Sequence, residues 1–120
     1  MKTALVVDDT DIHRSATRTF LAMSGFKVEI AEDGIQALKL LDTKTFDVIF
    51  SDIEMPNMNA MELLKRIRKH ATAAKTPVVM LSTLDSDDMQ TKLKQLGANH
   101  YLVKPFSSDR MKTALQAIGF

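Results

Sequence analysis

The 120-residue chain contains no cysteine. Disulfide frameworks, thiolate nucleophiles and cysteine metal sites are therefore excluded, and a reducing compartment is permitted without being required. No apolar stretch approaches the ~20 residues that span a bilayer. Met1-Lys2-Thr3 runs straight into an apolar segment, with no signal-peptide pattern. There is no basic block either, and the formal net charge is +1. Lys65, Arg66, Arg68 and Lys69 cluster, but the other positions of that stretch are apolar, so they read as the solvated face of a helix. Nucleic-acid and membrane binding are disfavoured. Low-complexity segments, internal repeats and linkers are also lacking. What remains is one globular domain spanning residues 1–120 with no output domain, cytoplasmic by default and large enough to bury a single core.

What the sequence does have is alternation. Short apolar runs and amphipathic stretches follow one another five times. The runs predict strands near 3–7, 27–31, 47–51, 77–81 and 100–103. Helical spacing covers 11–24, 34–43, 59–70, 86–96 and 107–118; Met89, Leu93 and Leu96 fall at i, i+4, i+7, as do Met111, Leu115 and Ile118. Gly25, Gly97 and Gly119 stand where left-handed caps end helices, and Asp33-Gly34 turns into the second helix. Asp85 or Ser86, and Ser107 or Ser108, are candidate N-caps. Leu5-Val6-Val7 and Val48-Ile49-Phe50 are apolar without a polar partner face, which suits strands covered on both sides. The pattern predicts a doubly wound α/β fold, a parallel sheet with helices on both faces.

Four of the runs end on polar residues: Asp8 and Asp9 after the first, Asp52 after the third, Ser82 after the fourth and Lys104 after the fifth. A lone strand-end aspartate is usually a cap or turn former. Five such groups at four strand ends instead point to one pocket, since open sheets bind ligands beyond their carboxyl edge. Neighbouring strands lie ~4.8 Å apart, so carboxylates at adjacent ends are crowded. A divalent cation relieves that crowding, and hard oxygen donors with room for water favour Mg2+. Lys104 offers a point charge for a phosphoryl oxygen and Ser82 a short donor. Asp52, central among them, is the candidate nucleophile, forming an acyl phosphate. His13, His70 and His100 have no metal-ligand spacing and read as surface or locally satisfied. Most of the eight methionines read as core filler, whereas Met55 and Met58 fall in a turn.

The ordered set Val7-Asp8-Asp9 with Arg14, Ala31-Glu32-Asp33-Gly34 with Ala37-Leu38, Ser51-Asp52 with Met55-Pro56, Leu81-Ser82, Gly97-Ala98 and Val103-Lys104-Pro105-Phe106 resembles the response-regulator receiver domain of two-component signalling, over the whole chain. The resemblance implies a flavodoxin-like (βα)5 fold with strand order 2-1-3-4-5, the order the fold shares with CheY. It implies that Asp52 accepts a phosphoryl group from a histidine kinase. Asp9 and Asp52 would ligate Mg2+ directly, Asp8 through water, and Glu54 through its main-chain carbonyl. Lys104 would pair with Asp52, and Lys104-Pro105 would be a cis peptide. Ser82 and Tyr101 would be the switch pair, altering the face made by the fourth helix, fifth strand and fifth helix. Such a domain modifies only itself and is not an enzyme acting on other substrates. Among its members, stand-alone chemotaxis regulators of the CheY type are most similar. That implies a chemotaxis-type kinase, a flagellar motor switch protein as partner and a monomer, with a phosphatase as a further partner. The alternative is a single-domain phosphorelay or cell-cycle regulator that meets a histidine phosphotransfer domain.

The chain departs from the family pattern in places. Asn59-Ala60 replaces Asp-Gly, and Ala60 would be strained if that position needed a positive φ. Thr83 stands where alanine is preferred and would narrow access to Asp52. Glu54 and Leu84 flank the path of attacking water. Two other classes compete. Asp9-Thr10-Asp11 gives the Asp-x-Asp core of haloacid-dehalogenase-like phosphatases, but it leaves Ser51-Asp52 unexplained. A pseudo-receiver would bind partners without phosphorylation, which requires Ala60 or Thr83 to disable the pocket.

Overall fold

Period-two alternation explains how the strands serve two cores at once. In the computed structural model, which describes residues 2–54 and 57–120 and all their side chains except that of His13, Leu5, Val7, Ile49, Val78 and Met80 point to one face of a sheet. Ala4, Val6, Val48, Phe50, Val79 and Leu81 point to the other. The elements run β1 (Lys2–Val7), α1 (Asp11–Met23), β2 (Phe26–Ala31), α2 (Gly34–Thr43), β3 (Val48–Asp52), α3 (Ala60–Lys69), β4 (Val78–Ser82), α4 (Asp87–Gln95), β5 (His100–Val103) and α5 (Ser108–Ala117). All strand pairs are parallel, in the order β2-β1-β3-β4-β5. The flavodoxin-like topology and the five-fold alternation are as the sequence implied.

The first face is covered by Ala37 and Leu41 of α2, by Leu63, Leu64 and Ile67 of α3, and by Leu93 of α4. Leu21 of α1 and Met111, Ala114 and Leu115 of α5 cover the second. Strands apolar on both sides and helices apolar on one are what this three-layer arrangement buries. Register places the functional edge: Val7 pairs with Ala31 and Ser51, Asp52 with Leu81, and Ser82 with Val103. Asp52 and Ser82 are the last residues of their strands, one position further in than the sequence implied. Asp8 and Lys104 follow theirs.

Helix starts follow the caps. Asp33, Asn59, Ser86 and Ser107 accept the N–H groups of Gln36 (2.8 Å), Glu62 (2.8 Å), Met89 (3.2 Å) and Arg110 (3.2 Å). Gly25, Gly97 and Gly119 have φ of 90°, 108° and 104°, the left-handed conformation their positions required.

Three expectations change. Ala60 is not strained: it opens α3 as a buried residue. Among the described residues of this loop, the left-handed one is Asn57, φ 68°, whose amide donates to the Asp33 carboxylate at 2.9 Å. Asparagine tolerates that conformation better than most residues, so the loop needs no glycine at 60. Arg68 is not on a solvated face. Its guanidinium donates to the carbonyls of Gly97 (2.7 Å), Thr76 (2.7 Å) and Ala74 (3.3 Å) and to Asn99 Oδ1 (2.9 Å), joining α3 to two loops. Met58 of the β3–α3 loop packs on Gly34, where an added Cβ would lie 2.9 Å from its Sδ. Among the described methionines, Met80 and Met111 are buried and Met58, Met61 and Met89 pack against the first core, while Met23 is exposed. Met55 and Pro56 of the motif, and the side chain of His13, lie outside the described residues.

Candidate functional site

The carboxyl edge of the sheet gathers Asp8, Asp9, Asp52, Ser82 and Lys104 as the sequence predicts. Main-chain bonds from Asp8 N to Ala31 O (3.0 Å), Ile53 N to Leu81 O (2.8 Å) and Lys104 N to Ser82 O (2.7 Å) extend the ladder one residue past the strands and hold these side chains level. Asp8, Asp9 and Asp52 each present a carboxylate oxygen within 4.8 Å of the others. Lys104 Nζ lies 3.1 Å from Asp8 Oδ2 and 3.1 Å from Asp52 Oδ1. Asp8 and Ser82 are fully buried and Asp52 is 3% exposed, while Asp9 faces solvent.

One ammonium cannot neutralise three carboxylates in so small a space. Burial pushes Asp52 from its ordinary 3.8 up to about 7; Lys104 pulls the other way, and Asp8 and Glu54 add to the rise. The donor set, hard oxygens with excess negative charge and one exposed member, fits a small hard divalent cation such as Mg2+. Both oxygens of Asp8 are already engaged, Oδ1 by Thr10 N–H at 2.9 Å and Oδ2 by Lys104. Lys104-Pro105 is a cis peptide, as the resemblance implied. Arg14 donates to the Asp8 carbonyl at 3.2 Å and also pairs with Asp11. Asp11 thus turns out to solvent, and the Asp-x-Asp arrangement of a phosphatase core does not form.

Around the acceptor the loops are bonded to one another. Ser82 Oγ donates to Glu54 Oε1 at 2.9 Å and accepts Leu84 N–H at 3.0 Å. Thr83 Oγ1 reaches the same Glu54 oxygen at 3.5 Å. The Leu84 carbonyl accepts the Tyr101 hydroxyl at 2.7 Å. Leu84 is 52% exposed. Thr83, Ile12, Ala16, Lys104 and Phe106 line a groove of about 360 Å³. A larger cavity of about 650 Å³ opens among Gln90, His100, Tyr101, Val103, Phe106 and Arg110. The bond from Ser82 to the Glu54 carboxylate is what sequence reasoning missed: the main-chain carbonyl of Glu54 and its charge beside the path of attacking water were foreseen. The combination of an acid at 54 with a hydroxyl at 83, where alanine is usual, was the available signal. His70 is locally satisfied, its ring bonded to Asp42 at 2.8 Å and to the N–H of Thr72 at 3.2 Å.

Comparison with known proteins agrees with this geometry. The model of the response regulator receiver domain family matches residues 4–116. The response regulator MprA of Mycobacterium sp. strain KMS is 32% identical over 114 residues, 95% of this chain and 49% of that protein. The chain thus spans about half the length of the curated relatives it matches. The chemotaxis protein CheY4 of Vibrio cholerae is 36% identical with a TM-score of 0.92, covering 98% of both chains. The receiver domain of the sensor histidine kinase PA1611 of Pseudomonas aeruginosa PAO1, which holds a magnesium ion in its active-site cleft, shares the fold at 24% identity and a TM-score of 0.88, covering 99% of this chain and 98% of that one.

Proposed function

Since this chain belongs to the response regulator receiver domain family, we propose that it is a phosphorylation-activated switch whose acceptor is Asp52. The observation that carries this reading is the pairing of Lys104 Nζ with both Asp8 and Asp52 at 3.1 Å, inside a cluster of three carboxylates. A carboxylate oxygen of Asp52 attacks the phosphorus of a kinase phosphohistidine. The P–N bond breaks, the imidazole leaves with a proton, and an acyl phosphate forms. Lys104 meets the phosphoryl oxygens, and Asp9 and Asp52 would hold Mg2+, together with the Glu54 carbonyl. Asp8, whose oxygens already accept hydrogen bonds, acts through water. Bound Mg2+ supplies charge neutralisation for the transferring group. Ser82 then donates to a phosphoryl oxygen, and Tyr101 moves into the space it leaves. The face of α4, β5 and α5 thereby changes its partner preference.

Within this reading the receiver domain is monomeric, works in the cytoplasm, and acts in chemotaxis through a motor switch protein. Its likeness to CheY4 over 98% of both chains supports this. Among the described residues, no helix is long and apolar enough to cross a membrane. The only reaction it catalyses is on itself, taking up and hydrolysing its own phosphoryl group, with a phosphatase as a further partner. The alternative is a single-domain phosphorelay or cell-cycle regulator, while curated relatives twice its length favour service within a longer response regulator. The partner captured by the phosphorylated form, motor switch protein or histidine phosphotransfer domain, separates the two.

Intact mass after incubation with acetyl phosphate and Mg2+ tests the core of the proposal. One added phosphoryl group is expected in the wild type and none in Asp52→Asn or with a chelator. A folded, Mg2+-binding protein that gains no mass would instead be a pseudo-receiver.

A further inference from the structure

A hydroxyl has one proton to give. That of Ser82, fully buried, is committed to the carboxylate of Glu54 at 2.9 Å. Glu54 sits two residues past Asp52 and lies close enough to its carboxyl to help raise its pKa. A phosphoryl group on Asp52 would compete with Glu54 for the same donor. It would also meet a carboxylate of like charge beside it. Thr83 adds a second, longer donor to the same Glu54 oxygen, so the carboxylate is held from two sides. The chain of contacts continues outward: Ser82 Oγ accepts Leu84 N–H, and the Leu84 carbonyl accepts the Tyr101 hydroxyl. This hydrogen-bonded path from the aromatic switch toward the acceptor runs through the hydroxyl that Glu54 holds.

We propose that the Glu54 carboxylate, steadied by Thr83, is an autoinhibitory latch that holds Ser82 in the resting position and sets how much ligand the switch needs. The latch rests on the phosphoacceptor reading above and adds to it a residue that acts through Ser82. Glu54 and Thr83 are both solvent-exposed, so replacing them leaves the core untouched. Glu54→Ala frees the Ser82 proton. Glu54→Gln keeps an acceptor but loses the charge that strengthens the bond. Thr83→Ala removes only the weaker support.

The chain contains one tyrosine and no tryptophan, so intrinsic emission reports on Tyr101 alone. Titration with beryllofluoride, a phosphoryl mimic, in saturating Mg2+ is expected to change that emission. The half-saturating concentration should fall about tenfold in Glu54→Ala, the scale of one charge-assisted hydrogen bond. In Glu54→Gln it should fall about threefold, and in Thr83→Ala about twofold. Because removing a negative charge also helps an anion bind, the deciding comparison is in a Ser82→Ala background. There the effect of Glu54→Ala should shrink to the small part due to charge alone, about twofold or less, with affinity read from the fluorine resonance of bound beryllofluoride. A full effect persisting without Ser82 overturns the latch in favour of plain charge repulsion, and so does a Glu54→Ala protein that titrates like the wild type. A wild type that neither binds beryllofluoride nor takes up a phosphoryl group overturns the phosphoacceptor reading and the latch together.

Discussion

Without metal, Asp52 ionises at a cost to the fold. Its carboxyl titrates near 3.8 when exposed and about 7 in the pocket. Between those values the native state binds more protons than the unfolded chain, so stability falls as pH rises through this window and levels off above it. Asp52→Asn, which cannot ionise, escapes that loss. In chelator, it should exceed the wild type in urea denaturation at pH 8 by on the order of 1–3 kcal/mol. The gap should shrink at pH 5. A gap independent of pH would mean that Asp52 is not the group whose ionisation is penalised. Lys104 and Asp8 remain paired in this variant, which is why removing the acceptor does not orphan a buried charge.

Among the elements, α3 is held by more than its own apolar face. Arg68 ties it to the loops before β4 and before β5 through three carbonyls and Asn99. Truncating it strands those acceptors, so Arg68→Ala should cost about 2–4 kcal/mol in urea denaturation. Arg68→Lys should recover only part of this, because an ammonium lacks the planar fork; full recovery would mean that packing alone is at stake. This role was illegible in the sequence for a physical reason. The partners are main-chain carbonyls of irregular segments, which carry no residue signature, whereas Leu63, Leu64 and Ile67 announce the buried face by their spacing. Strand ends were legible because each apolar run stops at a charge or hydroxyl. The left-handed residue of the β3–α3 loop was sought at position 60 by analogy and found at Asn57, because a loop's backbone is set by all its contacts together, including the one to Asp33.

At the scale of the whole molecule, a cation held in the pocket as proposed would be coupled to folding. The clustered carboxylates of Asp8, Asp9 and Asp52 belong together only in the native sheet, so Mg2+ bound there would stabilise by mass action. A concentration a hundred times Kd should add about 2.7 kcal/mol. Lys104→Met should lower stability in chelator yet show a larger gain from Mg2+ than the wild type, because the cation then neutralises the cluster alone. An unchanged gain would place the metal elsewhere. Which residues meet at this edge was readable from strand order. How the loops above them bond was not, since the Glu54, Ser82 and Thr83 contacts depend on loop paths that no periodicity encodes.

The ion pair of Asp8 and Lys104 joins residues 96 positions apart, and the sheet order puts the strand preceding Lys104 at an edge, laid down last. During synthesis the three aspartates therefore leave the ribosome long before their cationic partner, with no finished sheet to bring them together. Under the proposed function, a kinase meeting such a half-made chain would find no finished acceptor site, because Lys104 has yet to join Asp8 and Asp52.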